Sequence, residues 1–195
     1  EELNFTKIFL KIRKMSKKIS DFRMPAEWEP QKSVWMPWPH NKNDWPGLFE
    51  KIPNVVGKII KYLTKHQRID LLVNKNKSID TTRKYLKKIG CNISNIKFHK
   101  LNTDRLWLRD SGPIFLVNKK NRKKTMLDFK FNAWSKYKNF RNDNKINNHI
   151  STYLNIESIL PKKVNSKKFK RVVMEGGAFD NNGSGSILLT RECLL

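Results

Sequence analysis

The sequence predicts a mixed fold of the α/β (α+β) class, in which short strands alternate with amphipathic helices. Apolar residues recur at helical spacing in residues 48–65, 78–89 and 143–154. Short apolar runs lie between these helices, and clusters of Pro, Gly, Asn and Asp separate the elements. The predicted order is therefore strand, helix, strand, helix, strand, hairpin, helix, hairpin.

Local chemistry supports each element. A strand at Ser33–Trp38 lies between proline-rich loops that no long helix could cross. The helix over 48–65 tolerates Pro53 in its first turn, and Gly90 suits the left-handed position after the helix over 78–89. The other predicted strands are Ile69–Val73, Ile96–Leu101, the hairpin Ile114–Val117 with Thr125–Phe131, and the strands Arg171–Met174 and Ser186–Thr190 on either side of the turn-rich loop 180–185.

The composition indicates one domain or a large piece of one, with 38% hydrophobic residues. The formal net charge is 41 − 17 = +24, which raises the expectation of a nucleic-acid partner. The 31 Lys and 10 Arg are spread along the chain, however, and Lys, Asn and Ile are the residues that AT-rich coding favours. We therefore interpret the charge as a solvated basic surface and expect no specific nucleic acid. A basic nucleic-acid-binding module stays open as the alternative.

The amino-terminal extension, the apolar runs and the cysteines give expectations about domain organisation and cellular compartment. Residues 1–21 form a basic extension, expected to dock loosely or to be disordered, and residues 22–195 form the domain. No apolar run is long enough to cross a bilayer, so we expect no membrane partner. Two widely spaced cysteines, Cys91 and Cys193, indicate a reducing, cytoplasmic setting. Zinc-ligand spacings are absent from the sequence, and we expect no metal and no cofactor.

The segment TDRLWLRDSGP has the residue types best suited to binding or catalysis, among them Asp104, Trp107 and Asp110. Its Gly-Pro pair predicts a turn between two strands, where side chains can converge on a pocket. A carboxylate beside an aromatic ring suits a planar cation, because the carboxylate can bind a guanidinium through two hydrogen bonds while the ring stacks on it. A salt bridge around the turn explains the same residues equally well.

A second segment, Glu175-Gly176-Gly177, follows a predicted strand. Two glycines let another group approach the backbone closely, and Glu175 could bind a cation. A turn with a solvated Glu is the simpler interpretation. The segment FNAWSKY, residues 131–137, is either an aromatic wall of a pocket or packing at a strand end.

The spacing of the cysteines and histidines does not identify a catalytic nucleophile with its general base. Cys91 lies at a predicted helix end in a Lys-rich setting that could favour the thiolate. Neither cysteine has a histidine within a few residues. The four histidines are scattered, and we interpret most of them as ordinary surface or strand residues.

Together these segments resemble the agmatine deiminase and bacterial peptidylarginine deiminase family. The resemblance covers about residues 22–195 and rests on motifs in that family's order: MPAEWEP, WMPWP, TDRLWLRDSGPIF, FNAW, EGG and GSILLTRECLL. It implies a pentein-like β/α propeller of ββαβ units, present here in part. It also implies hydrolysis of a guanidinium to a ureido group with release of ammonia, as when agmatine becomes N-carbamoylputrescine in putrescine biosynthesis.

The resemblance assigns roles to single residues. Asp110 looks like a guanidinium-binding acid and Trp107 like a substrate-contacting aromatic residue. The other expected substrate-binding residues are Asp104, Glu175 and Gly176.

The resemblance also leaves a gap. The family's later His/Asp segment and its glycine-preceded nucleophilic Cys have no counterpart in this sequence, and Cys193 resembles a cysteine that is not the nucleophile. We therefore expect an incomplete amino-terminal part that is inactive alone. A small guanidine such as agmatine is the expected partner, with peptidylarginine as the alternative substrate, and a homo-oligomer stays open.

Overall fold

The computed structural model describes residues 19–162, 170–190 and 192. Its strands are β1 (Phe22–Arg23), β2 (Ser33–Pro37), β3 (Arg68–Val73), β4 (Ile96–Lys100), β5 (Ile114–Asn118), β6 (Lys124–Leu127), β7 (Ser158–Ile159), β8 (Phe179–Asn181) and β9 (Ile187–Leu189). Its helices are α1 (Ile52–Leu63), α2 (Ile79–Lys88), α3 (Leu108–Ser111) and α4 (Asp143–Leu154). The mixed α/β class is confirmed.

The strands form three sheets. A three-stranded parallel sheet has the order β2-β3-β4, with α1 and α2 as its crossover helices. A four-stranded mixed sheet has the order β1-β5-β6-β7, and β8 pairs with β9 in an antiparallel ribbon. None of the helices in the described part of the chain is long and apolar enough to span a membrane.

The helices begin and end for local reasons. Proline occupies the first turn of α1, where no backbone donor is lost. Ser78 caps α2 by accepting a hydrogen bond from the backbone N–H of Thr81 at 3.2 Å. Gly90 follows that helix with a φ of +86°, as the sequence predicted. Asn155 ends α4 in the left-handed conformation.

Strand β3 is buried on both faces, which is typical of a parallel sheet covered on both sides. Ile69, Leu71 and Val73 face α1 and α2, whereas Leu72 packs with α4 and β6. This two-sided core joins the parallel sheet to the mixed sheet. It also fixes the ends of β3 and β4, from which the candidate site is built.

The sequence correctly predicted a last hairpin whose second strand is β9, but it misplaced the first strand. Residues 171–174 make only isolated bridges, Lys162 with Arg171 and Lys130 with Val173, and β9 pairs with β8 instead. The second strand of the earlier hairpin ends at Leu127, four residues before the expected end. The very short strands β1 and β7 were missed, because two-residue strands carry no periodic pattern. The expectation for residues 1–21 concerns mostly residues outside the described ranges.

Candidate functional site

The loop between β4 and α3 is irregular, yet side chains satisfy its backbone groups. The amide of Asn74 accepts from Thr103 N at 2.7 Å and donates to Thr103 O at 3.3 Å. Asp143 Oδ1 accepts from the backbone N–H groups of Asp104 and Arg105, at 2.8 and 3.3 Å. Because buried backbone groups must be paired, these side chains replace the missing strand ladder and fix the approach to α3.

Asp110 lies on α3, which is a single helical turn where the sequence predicted only a turn between strands. The Trp134 side chain and the backbone N–H of Gly177 lie close enough to its carboxylate to favour the charged form. A Cβ on Gly177 would lie 2.3 Å from Asp110 Oδ1, and one on Gly176 would lie 2.5 Å from Arg109 O. Neither space admits a side chain, so the two glycines are what allow this segment to lie against α3.

The two acids of the site influence each other. Burial raises the pKa of Asp110, against the opposing effects of Arg109, of the Trp134 side chain and of the Gly177 backbone N–H. Burial raises the pKa of Glu175 as well, and the nearby charge of Asp110 raises it further. Two neighbouring carboxylates whose charged forms are disfavoured would be relieved by a bound cation.

Trp107 stands at the start of α3 and is 41% exposed. Its ring meets that of Trp45 at 5.6 Å between centroids, with an interplanar angle of 40°. An exposed ring held by a second ring offers a fixed face to a flat ligand.

Trp134 belongs to a strained turn. Ala133, Trp134 and Ser135 have φ values of +52°, +57° and +56°. Left-handed backbone costs about 1–2 kcal/mol for each such L-residue. The strained residue Trp134 has its side chain beside the Asp110 carboxylate, and functional sites often concentrate backbone strain in this way.

The structure brings Asp110, Glu175 and Gly176 together, with Trp107 on the turn that precedes Asp110. Asp104 is engaged differently. Its carboxylate accepts from Asn142 N at 2.7 Å and from Asn142 Nδ2 at 2.8 Å. These bonds hold the start of α4, so its contacts favour a structural role over the expected substrate-binding one.

The expectation of a favoured thiolate at Cys91 was wrong. The thiol is buried against α1, within 3.7 Å of Gly57 O, and burial raises its pKa. The lysines of this stretch lie mostly in water and do not offset that cost, although Lys61 acts in the opposite direction. Cys193 lies outside the described residues.

Two of the four histidines, His99 and His149, belong to a polar cluster. His99 is buried on β4, with Nε2 2.8 Å from Asp70 Oδ1 and Nδ1 3.3 Å from His149 Nε2. Trp35 lies 4.7 Å from the His99 ring, between centroids. This cluster belongs to the core between β3, β4 and α4. Over the described ranges no group of three His, Cys, Asp or Glu side chains is arranged to hold a metal ion.

The fold and site define a mixed α/β protein that presents an acidic pair beside an exposed aromatic ring. The family model of Porphyromonas-type peptidyl-arginine deiminases matches residues 23–195. The chain belongs to this family, whose members are hydrolases acting on guanidino groups.

Known relatives agree with this assignment. A Legionella pneumophila protein provisionally named agmatine deiminase is 31% identical over 176 residues, which cover 89% of this chain and 46% of that protein. The agmatine deiminase structure of Enterococcus faecalis matches with a TM-score of 0.72 at 26% identity, over 91% of this chain and 46% of that one. An agmatine deiminase of C. jejuni with substrate bound matches with a TM-score of 0.67 at 27% identity, over 86% and 45%. The chain thus spans about half the length of the relatives that it matches.

Proposed function

We propose that this chain supplies the guanidinium-binding part of an agmatine deiminase-type hydrolase. In this proposal Asp110 and Glu175 bind the guanidinium nitrogens and Trp107 stacks on the guanidinium plane. The observation that carries the proposal is the packing of Gly176-Gly177 on Arg109-Asp110, which brings the two acids together. The finer expectations belong to the same proposal: a partial propeller of ββαβ units, and a place in putrescine synthesis in the cytoplasm.

The chemistry explains why such a site is needed. A guanidinium carbon resists attack because its charge is delocalised over three nitrogens. Carboxylates that hold the N–H groups orient the carbon and stabilise the cation on one face. In the family reaction a thiolate then adds to that carbon, ammonia leaves with a transferred proton, and water releases the covalent intermediate as the ureido product.

The described residues offer the binding half of this chemistry. Cys91, whose thiol is buried and whose pKa is raised, is a poor nucleophile. The acidic binding site differs in charge from the rest of the molecule, because a chain of net charge +24 repels cations in general. Binding of a dication such as agmatine would therefore point to a local acidic site.

The test uses the 195-residue chain with agmatine. Ammonia release is measured by a coupled assay and binding by calorimetry or tryptophan fluorescence. We expect binding without turnover, loss of binding in Asp110→Asn, and no change in the control Asp80→Asn, whose carboxylate is exposed on α2. No agmatine binding by the folded wild-type chain would refute the binding role, whereas turnover would refute the expected inactivity.

The choice between agmatine and peptidylarginine is tested in the same assay. Agmatine, a benzoyl-arginine amide and putrescine are compared as ligands. Putrescine has amines but no guanidinium, so it measures simple attraction of cations. We expect agmatine to bind most tightly; tighter binding of the arginine amide would favour the peptidylarginine alternative.

A further inference from the structure

We infer that Arg105 is a positioning residue for the guanidinium site, because its buried guanidinium links the two aromatic segments on either side of Asp110. The inference rests on the proposed function for its meaning in binding. The structural basis of the inference is the set of contacts that Arg105 makes. We do not propose that Arg105 itself touches a substrate.

Arg105 is a buried cation on the loop that leads to Trp107. It is 5% exposed, and its Nη1 lies 2.5 Å from Oδ1 of Asp44, whose side chain is 1% exposed. Its Nη2 donates to Asn139 Oδ1 at 2.6 Å. Within the described structure, Arg105 Nε and Asp44 Oδ2 are buried without a hydrogen-bond partner. A buried ion pair whose polar atoms lack hydrogen-bond partners contributes little to stability. We therefore interpret its role as fixing the positions of the segments that it joins.

One arm of the link runs to Trp107. Asp44 ends a short 3-10 turn, Lys42–Asp44, and the next residue is Trp45, which packs on Trp107. The same turn is tied to the loop a second time, because Asn41 Nδ2 donates to Asp104 O at 3.0 Å. The pair of Asp44 and Arg105 thus sets where the Trp45 ring meets the Trp107 ring.

The other arm runs to Asp110. The guanidinium of Arg105 lies 3.9 Å from the ring centroid of Tyr137. Tyr137 contacts Trp134 edge-on at 6.0 Å between centroids, and the Trp134 side chain lies close enough to the Asp110 carboxylate to favour its charged form. The turn that carries Trp134 is left-handed without glycine, so tertiary contacts must hold it. The contacts of Arg105 with Tyr137 and Asn139 are placed to do so.

Only an arginine fits this position. Its planar fork reaches Asp44 and Asn139 at once while its face stacks on Tyr137. A lysine keeps the charge but is a point cation, which cannot make all three contacts. Arg105→Lys therefore separates the geometry of the link from its charge.

The experiment compares the full chain with Arg105→Lys and the matched control Arg83→Lys. Arg83 is also paired with a carboxylate, Asp80 at 3.4 Å, and also lies over a ring, Phe98 at 5.0 Å, but it is on the exposed side of α2. Three quantities are measured by NMR and calorimetry: the indole N–H resonance of Trp134, the titration of the Asp110 carboxyl carbon, and the Kd for agmatine.

In Arg105→Lys we expect the Trp134 indole resonance to shift, because the Tyr137 ring that contacts Trp134 loses its support. The titration midpoint of Asp110 should rise, because the Trp134 interaction that favours its charged form is weakened. The Kd for agmatine should rise about tenfold, the equivalent of about one net hydrogen bond. Arg83→Lys should leave all three unchanged. A folded Arg105→Lys chain with the wild-type Trp134 resonance and Asp110 titration would overturn the inference.

If Arg105→Lys does not fold, Tyr137→Leu tests the second arm at a position that is 38% exposed. It should alter the Trp134 and Asp110 signals and leave the Trp45 and Trp107 indole resonances unchanged; unaltered Trp134 and Asp110 signals would overturn the inference. If the wild-type chain does not bind agmatine, the proposed function fails. The Trp134 and Asp110 signals still decide whether Arg105 positions them.

Discussion

Gly177 lies so close to Asp110 that a methyl group on its α-carbon would come within 2.3 Å of the carboxylate oxygen Oδ1. The backbone N–H of Gly177 also favours the charged form of the same carboxylate. The glycine therefore acts twice on Asp110, through its backbone N–H and through the space that it leaves for the carboxylate.

Replacement of Gly177 tests this contact. Gly177→Ala is expected to displace the Asp110 carboxylate and to cost about 1–3 kcal/mol of unfolding free energy, as overpacking does. Agmatine binding should weaken with it. Chemical denaturation and calorimetry measure the two effects, with Ala178→Ser as the neighbouring control. Wild-type binding by Gly177→Ala would show that the carboxylate position is unimportant.

The coupling of the two acids predicts a second result. The charge of Asp110 contributes to the raised pKa of Glu175. In Asp110→Asn that charge is gone, so the Glu175 titration followed by carbon NMR should move to lower pH. A midpoint that does not move would mean that burial alone raises the pKa of Glu175.

The raised pKa values also set the pH dependence of binding. A guanidinium needs both carboxylates ionised, and protonation removes that charge as the pH falls through their raised pKa values. Agmatine binding should therefore begin to weaken at a higher pH than for ordinary carboxylates, which titrate at about 4. Calorimetric titrations from neutral to acidic pH follow this change. Constant affinity down to that range would contradict it.

We expect substitutions of Trp107 to weaken agmatine binding in a graded way. Trp107→Phe keeps a ring and should weaken agmatine binding only slightly. Trp107→Ala removes the ring and should cost about 0.5–2 kcal/mol of binding free energy, the usual range of a cation–π contact. Trp28, which is 76% exposed, supplies the control Trp28→Ala. Equal effects of Trp107→Ala and Trp28→Ala would argue against stacking by Trp107.

The titration of Asp143 is expected to make the folding stability depend on pH. Burial raises its pKa to about 6, although the backbone N–H groups of Asp104 and Arg105 favour the charged form. The folded state then binds the proton more tightly than the unfolded state, where the carboxyl titrates at about 4. The contribution of this group to stability is therefore full below that pH and is lost as the pH rises through about 6.

The substitution Asp143→Asn keeps an acceptor for both backbone groups and removes the titration. Its stability relative to wild type should rise between acidic and neutral pH, by at most about 3 kcal/mol. Urea denaturation of both proteins over this pH range measures the difference. A pH-independent difference would show that Asp143 does not titrate there.

The sequence by itself determined the elements with strong periodicity or strong local signals. Helix α4 runs over the residues predicted, and Ser78 and Gly90 bound α2 because capping depends on a few neighbouring residues. The motif that carries Trp107 and Asp110 identified the family, because several rare residues occur in a fixed order. The Glu-Gly-Gly motif also suggested a close backbone approach, without saying to what.

The tertiary structure decided which groups meet. Nothing in local sequence indicates that Gly177 faces Asp110, that the Trp134 side chain lies near it, or that Arg105 pairs with Asp44 and not with the neighbouring Asp104. These contacts join residues between 24 and 67 positions apart in the chain. They depend on how the sheets and helices pack, and packing is a property of the whole fold. The first strand of the last hairpin was misplaced for the same reason, because strand pairing depends on partners that the local pattern does not specify.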